Sequence, residues 1–278
     1  MALIDWAKYA RHELRLKEVQ KMTAETPPRW TWIDAEGSDM YVGGNDDFIA
    51  MRFMLGHSYE SVTRALWRKV CAGATLVADI GTHSGIFTLD AFRAGAKHVL
   101  SVEPHPINYS RLVLNIRRNG FSCAGAFFGA LGDENKTEVL LVKQMFLVHA
   151  AGRVGMHNVN GTEFPVRVVR LDALLDEKMW PLLKAIKIDA ENYTPHVIRG
   201  MENLFASGAR PDMIIECTEP GLGERLKTLG YRFWRIWETG KVEEIDDLIP
   251  HNPDNNYNGT DEDCRNRFAS VNGLPDGA

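Results

Sequence analysis

Cysteine is scarce in this sequence: Cys71, Cys123, Cys217 and Cys264 are the four in 278 residues, and no two form a C-x-x-C pair. That spacing excludes a disulfide scaffold and the common zinc ribbons, so reduced thiols are expected. Long apolar runs are also missing, and no stretch is long enough to cross a bilayer, so no membrane partner is expected. An excess of basic residues is absent as well; a net charge of −5 without a long Lys/Arg run gives no overall attraction to nucleic acid. The first residues, Met1 to Lys8, lack a basic start followed by an apolar core, and the expectation is a soluble, unprocessed, cytoplasmic protein. Internal repeats and low-complexity segments are lacking too.

What is present suits one large α/β domain with decorations: 45% of the residues are hydrophobic and 25% charged. Residues 1 to 25 carry apolar positions at helical spacing, Leu3, Trp6, Tyr9, Leu14 and Val19 among them, and predict a helix packed on the domain or on a partner such as a second copy in a homodimer. Trp30, Trp32 and Tyr41 flank a polar turn and predict a hairpin. Helical periodicity runs from Asp47 to Val70 with a break at Gly56 to Glu60, where Ser58 is expected to cap the second helix with Glu60 in its first turn. From Thr75 onward strands and helices alternate, the pattern of a parallel sheet with right-handed crossovers. Strands are expected at 75–80, 98–103, 124–129, 137–142, 166–169, 185–189, 212–217, 231–237 and 268–271, and helices at 86–94, 107–118, 195–207 and 221–229. Residues 143 to 165 show little periodicity and read as a mobile loop or lid near the site, and 242 to 263 as an irregular acidic segment.

The stretch Val77 to Leu89 is the most informative. A buried strand ends at Ile80, the turn Gly81-Thr82-His83-Ser84-Gly85 follows, and a helix begins at Ile86, the arrangement that brings backbone close to a ligand. Asp79 ends the first strand and Glu103 the second, at a spacing suited to a carboxylate that grips a ribose diol. The turn is not G-x-G-x-x-G, which disfavours a dinucleotide and a NAD-dependent dehydrogenase and favours an adenosine without phosphates. S-adenosylmethionine fits, with its methionine end near Asp79 and the loop.

The motifs Val77–Leu89, Val102-Glu-Pro-His-Pro106, Asn115–Gly120, Ala130-Leu-Gly-Asp133, Leu171–Leu175 and Ile186-Lys-Ile-Asp-Ala-Glu191 resemble, in order, those of the FkbM family of S-adenosylmethionine-dependent methyltransferases, over roughly Gly56 to Trp237. The resemblance implies a Rossmann-like, seven-stranded α/β methyltransferase sheet flanked by helices. Residues 1–70 would then be a helical and hairpin extension packed on a methyltransferase domain of residues 71–278. It implies cofactor contacts from Tyr59, Glu60, Asp79, Gly81, Thr82, His83, Gly85, Thr88, Glu103, Pro104, Asn108 and Ala130. It also implies O-methylation of a hydroxyl on a saccharide or other small molecule, with peptide side chains as acceptors in some members. The family pattern K-I-D-V-E-G-A-E reads here Lys187-Ile-Asp-Ala-Glu-Asn-Tyr-Thr194, so the departure at Asn192 to Thr194 bears on acceptor choice.

Methyl transfer needs an acceptor aligned with the sulfonium and, for a hydroxyl, relieved of its proton. Strand alternation puts Lys187, Asp189 and, if extended structure continues, Glu191 on one face, and these three are the candidate catalytic residues. A buried Lys187–Asp189 ion pair is the alternative for the first two, and a helix N-terminal charge for Glu191. His83 is as readily a backbone spacer as a general base, and His149, His157 and His196 suit loop or surface roles. Asp189, Glu191 and Glu216 offer oxygen ligands to magnesium or calcium, but nothing in their spacing demands a divalent metal, so metal-free catalysis is favoured. N-methylation of a peptide side chain, and an adenosine-binding regulatory subunit without catalysis, are the alternative functions.

Overall fold

Alternating apolar strands buried on both sides need helices on both faces, and that is how the chain is built. The computed structural model describes residues 29–44, 47–121, 124–143, 152–154, 161–216, 221–248 and 263–276. The hairpin β1 (Arg29–Asp34) and β2 (Asp39–Gly44) leads to helices α1 (Phe48–Met54) and α2 (Ser61–Cys71). Then come β3 (Leu76–Ile80), α3 (Ile86–Arg93), β4 (His98–Glu103), α4 (Pro106–Arg118), β5 (Ala124–Phe128) and β6 (Ala130–Leu131). After β7 (Lys136–Lys143), β8 (Gly152–Val154), β9 (Gly161–Val169) and α5 (Leu171–Leu174) the chain enters β10 (Leu183–Ile188), α6 (Thr194–Arg199) and α7 (Glu202–Ala206). It closes with β11 (Asp212–Glu216), α8 (Leu222–Lys227), β12 (Arg232–Trp237), β13 (Val242–Ile245) and β14 (Asp263–Ser270).

The central sheet has the order β13-β12-β14-β11-β10-β3-β4-β5. Strands β5, β4, β3, β10 and β11 are parallel, while β14 runs antiparallel between β11 and β12. The expected seven strands are all there, and β13 adds an eighth on the edge. One face buries Ala78, Ile80, Ile186 and Ile215 against Val197, Phe205 and Leu226 of α6 to α8. The other buries Val77, Val99 and Ile214 against Trp67 and Leu89 of α2 and α3, and Met40 and Ile49 from the N-terminal elements join that same cluster. A second sheet, β6-β9-β7-β8, stands beside the first.

Several elements differ from the sequence expectation. Residues 161–165 are strand rather than loop: β9 begins at Gly161 and pairs with β7, and Pro165 is accommodated because β6 pairs only Val168 and Val169, leaving that side of β9 open. The other residues of the expected lid, apart from 143 and 152–154, lie outside the described residues, as do 1–28 and 249–262. Val242–Ile245 is a strand, its acids held by charge pairing, with Arg232 bidentate to Glu244 at 2.7 and 2.8 Å. β14 starts at Asp263 because polar Asn266 and Arg267 are buried partners in the sheet rather than exposed ones. Ser58 does not cap α2; Glu60 takes the N-cap position in the left-handed conformation and gives its carboxylate to Asn266 Nδ2 at 2.8 Å. The single helix expected at 195–207 is broken between α6 and α7, where Gly200 passes against the Gly132 carbonyl.

A Cβ on Gly200 would stand 2.0 Å from the Gly132 oxygen, and both partners are backbone. Gly200→Ala is therefore expected to destabilise the fold by about 1–3 kcal/mol, the usual cost of overpacking, measured by chemical denaturation. A change below the error of that measurement would contradict the contact.

Candidate active site

The strand order reverses direction at β3, whose neighbours are β4 and β10, and ligands of open α/β sheets bind at the carboxyl ends of such strands. A cleft there encloses about 920 Å³, part of it open to solvent. The loop after β3 is pinned from below: Gly81 and Thr82 donate their N–H groups to the Val102 carbonyl, and Asn115 Nδ2 of α4 donates to Ser84 O at 2.7 Å. Gly81 has φ +77°, and a Cβ on it would lie 1.8 Å from the Asp189 carbonyl, so no other residue fits. Glu103 ends β4 with both carboxylate oxygens fixed, Oε2 accepting from His83 N and Oε1 from His105 N, each at 2.8 Å. Burial pushes its pKa up to about 8 despite those hydrogen bonds.

At the end of β10, Lys187 is 1% exposed and its Nζ donates to Asp189 Oδ2 at 3.4 Å. Burial alone would lower the lysine pKa, yet Asp189, Glu60, Glu216 and Asp79 hold it above the ordinary value, and Phe87 lies 5.0 Å beneath the ammonium. Burial opposes the charge of Asp189 too, but Lys187 and a hydrogen bond from Glu216 keep its carboxyl below the usual range. Glu216 is pushed up by burial and by Asp189. The two carboxyls thus titrate as a pair, with Lys187 favouring the charge on Asp189. Tyr59 and Glu60 share this neighbourhood, both with pKa values raised chiefly by burial. Glu60 (φ +43°), His83 (φ +53°) and Glu191 (φ +51°) are non-glycine residues in the left-handed region, the last two lining the cleft and Glu60 standing behind it. Such strain, of order 1–3 kcal/mol each, collects at functional sites.

Ten of the residues expected from sequence line the cleft: Tyr59, Gly81, Thr82, His83, Glu103, Pro104, Asn108, Ala130, Asp189 and Glu191. Five stand behind it. Asp79 is 1% exposed and takes a 2.7 Å hydrogen bond from Thr88, whose hydroxyl also meets Ser101 at 2.9 Å, so both support the loop from within rather than facing a ligand. Gly85 packs on Leu112, Glu60 bonds Asn266, and Lys187 reaches the cleft only through Asp189. Glu191 does not continue the alternation of β10, because the strand ends at Ile188 and Glu191 opens a 3-10 turn, Glu191–Tyr193. Sequence reading missed His105 and Tyr193, both inside quoted motifs, and Leu140 and Val154 of the second sheet, which no motif marks. His196 lies outside the cleft lining, stacked 4.3 Å from Tyr193 and bonded to Asp133 at 2.9 Å. Among the described residues no group of three His, Cys, Asp or Glu is arranged to hold a metal ion. No helix of the described residues is long and apolar enough to cross a membrane.

The sequence pattern described as the methyltransferase FkbM domain matches residues 79–257, well over half of the chain, from the end of β3 onward. The chain belongs to the FkbM methyltransferase family. The cofactor of that family is S-adenosylmethionine, and the residues of this chain fit it: a side-chain-free approach at Gly81, an oriented carboxyl group at Glu103 and apolar walls at Val102, Leu131 and Leu140. The chain is also similar to a ribosomal protein L11 methyltransferase of Clostridium perfringens, 29% identical over 141 residues that make up 49% of this chain and 44% of that protein. The match thus spans less than half of that relative's length. Solved structures with a similar arrangement include an rRNA methylase from Streptococcus thermophilus (12% identity, 74% of this chain, 91% of that one, TM-score 0.39). Another is M. jannaschii TYW2 in complex with AdoMet (11% identity, 86% and 84%, TM-score 0.41). At such scores neither bears on the chemistry.

Glu103 binds its proton more tightly in the folded chain than in the unfolded one, where the ordinary value is 4.5. Its contribution to folding is complete below that pH and is lost as pH rises through about 8. Asp79, raised by burial from 3.8 to about 6, acts in the same direction. The ligand-free methyltransferase is therefore expected to lose melting temperature from pH 4.5 to 8, with a shallower loss in Glu103→Gln. Equal slopes for the two proteins would contradict the assignment.

Proposed function

We propose that the chain transfers a methyl group from S-adenosylmethionine to a hydroxyl of a saccharide or secondary metabolite. The observation that carries this reading is Asp189, a carboxylate in the cleft wall held by the buried Lys187 ammonium at 3.4 Å. When bound, the cofactor supplies an electrophilic methyl carbon next to a sulfonium. Asp189 would accept the hydrogen bond of the acceptor hydroxyl, orient its oxygen and take its proton as the O–C bond forms and the S–CH3 bond breaks, the sulfur leaving as the neutral thioether of S-adenosylhomocysteine. Lys187 keeps the carboxylate charged and fixed, and Glu191 borders the acceptor space from the turn after β10. Glu103 receives the ribose hydroxyls on the lone pairs that its two backbone donors leave open. Gly81, Thr82, Pro104, Asn108 and Ala130 shape the remaining cofactor wall, and Asp79, Thr88 and Gly85 hold the loop that carries it.

A protein side chain is the second acceptor class, favoured by the likeness to a ribosomal protein L11 methyltransferase. Mass spectrometry after incubation with S-adenosylmethionine and a panel of glycosides, hydroxylated metabolites and peptides separates the two. A mass gain on peptides alone would overturn the saccharide or metabolite acceptor, and cofactor binding without any methylated product would favour a regulatory subunit.

A carboxylate with a depressed pKa is a weak base, so removing it costs at the low end of the general-base range. Asp189→Asn is expected to slow turnover on the order of a hundredfold, with S-adenosylmethionine affinity by calorimetry unchanged. Glu103→Ala should do the reverse, weakening cofactor binding about tenfold or more through the lost hydrogen bonds to the ribose. Equal loss of cofactor in both variants would contradict the division of roles.

A further inference from the structure

The cleft wall is rich in carboxylates, with Glu103, Asp189 and Glu191 all facing it, yet S-adenosylmethionine carries a carboxylate of its own at the methionine end. Among the described lining residues the basic side chains are His83 and His105. His105 is engaged as the N-cap of α4, its Nδ1 turned to the backbone N–H groups of Ile107 and Asn108 at 3.3 and 3.5 Å and its ring edge-on to Phe164. His83 sits in the loop itself. We propose that the His83 imidazole is the group that receives the methionine carboxylate, donating from Nε2.

Two independent features support this. Nδ1 of His83 lies 3.1 Å from Ser84 Oγ and 3.9 Å from Asp47 Oδ1. A hydroxyl hydrogen of Ser84 on Nδ1 leaves the neutral ring with its proton on Nε2, and protonation paired with Asp47 leaves it there too. In both states the opposite edge of the ring is a donor. Asp47 is in turn fixed by its own capping bond to Ala50 N at 3.0 Å. The second feature is the backbone. His83 adopts φ +53°, a conformation that glycine or asparagine fills with less strain, while its N–H already serves Glu103. The turn alone does not call for an imidazole; a ligand at the ring does. Asp189 and Glu103, which border the same space, are acids and do not suit a second anion.

This assignment rests on S-adenosylmethionine being the ligand of the cleft. The test is calorimetry on the full chain with two probes, S-adenosylhomocysteine and its decarboxylated analogue S-adenosyl-3-thiopropylamine, which keeps the adenosine, the thioether and the ammonium. His83→Asn, suited to the left-handed turn, should weaken S-adenosylhomocysteine about tenfold to hundredfold and the amine analogue by less than about twofold. His83→Gln, which keeps a side-chain N–H, should restore part of the difference. Unchanged affinity for the analogue also reports an intact cleft. Equal weakening of both probes, or of neither, would overturn the proposal in favour of a purely conformational role. Binding of neither probe by the unaltered chain would overturn the cofactor assignment and this one with it.

Discussion

A lysine ammonium sealed inside a sheet is the constraint on which the rest of this site depends. Lys187 sits between β3 and β11, opposite Asp79 on one side and Ile214 on the other, where no water can solvate it. Only the surrounding carboxylates make that placement tolerable, and in return they tolerate one another only because of the lysine. The ammonium holds the Asp189 carboxyl below its usual range while burial and Asp189 push Glu216 up, and Glu60 and the buried Asp79 stay near them. Removing the ammonium would leave several acids facing each other in a poorly solvated space, so the cation sets both the stability of the strand ends and the protonation pattern of the cleft.

The loop that approaches the cofactor is likewise held by distant parts of the chain. Asn115 of α4 bonds Ser84 O with its amide nitrogen and receives the Tyr41 N–H on its amide oxygen at 2.7 Å, joining the loop to the N-terminal hairpin. Asn119 and Arg118 fix Asp39 of the same hairpin, and Arg111 reaches Gly43 O at 2.7 Å. Residues ahead of the matched family segment therefore brace the loop that lies within it.

The alternation of β3, α3, β4 and α4 was readable because each strand is mostly apolar and each turn is marked by glycine or proline, and the cleft residues on those turns came with it. The rest depended on partners far apart in sequence. Glu191 shares the face of Asp189 only if the strand continues, and that it stops at Ile188 is hidden because a left-handed backbone at glutamate leaves no local trace. Val242–Ile245 was hidden because it is held by Arg232, and β14 because its buried Asn266 and Arg267 look like surface residues until their neighbours are known. Asp79 was legible as a strand-end acid, but that it faces Thr88 rather than the cleft follows from packing.

The insertion of β14 between β11 and β12 has a bearing on how the molecule is made. β12 bonds to the sheet only through β14, and β13 only through β12, so both lack an attachment until residues 263–270 have been synthesised. As the chain leaves the ribosome, the parallel half from β3 to β11 can assemble while the open edge of β11, next to Glu216, waits for its partner. The wall that bears Asp189 and Glu216 is thus completed last, by a strand added from downstream.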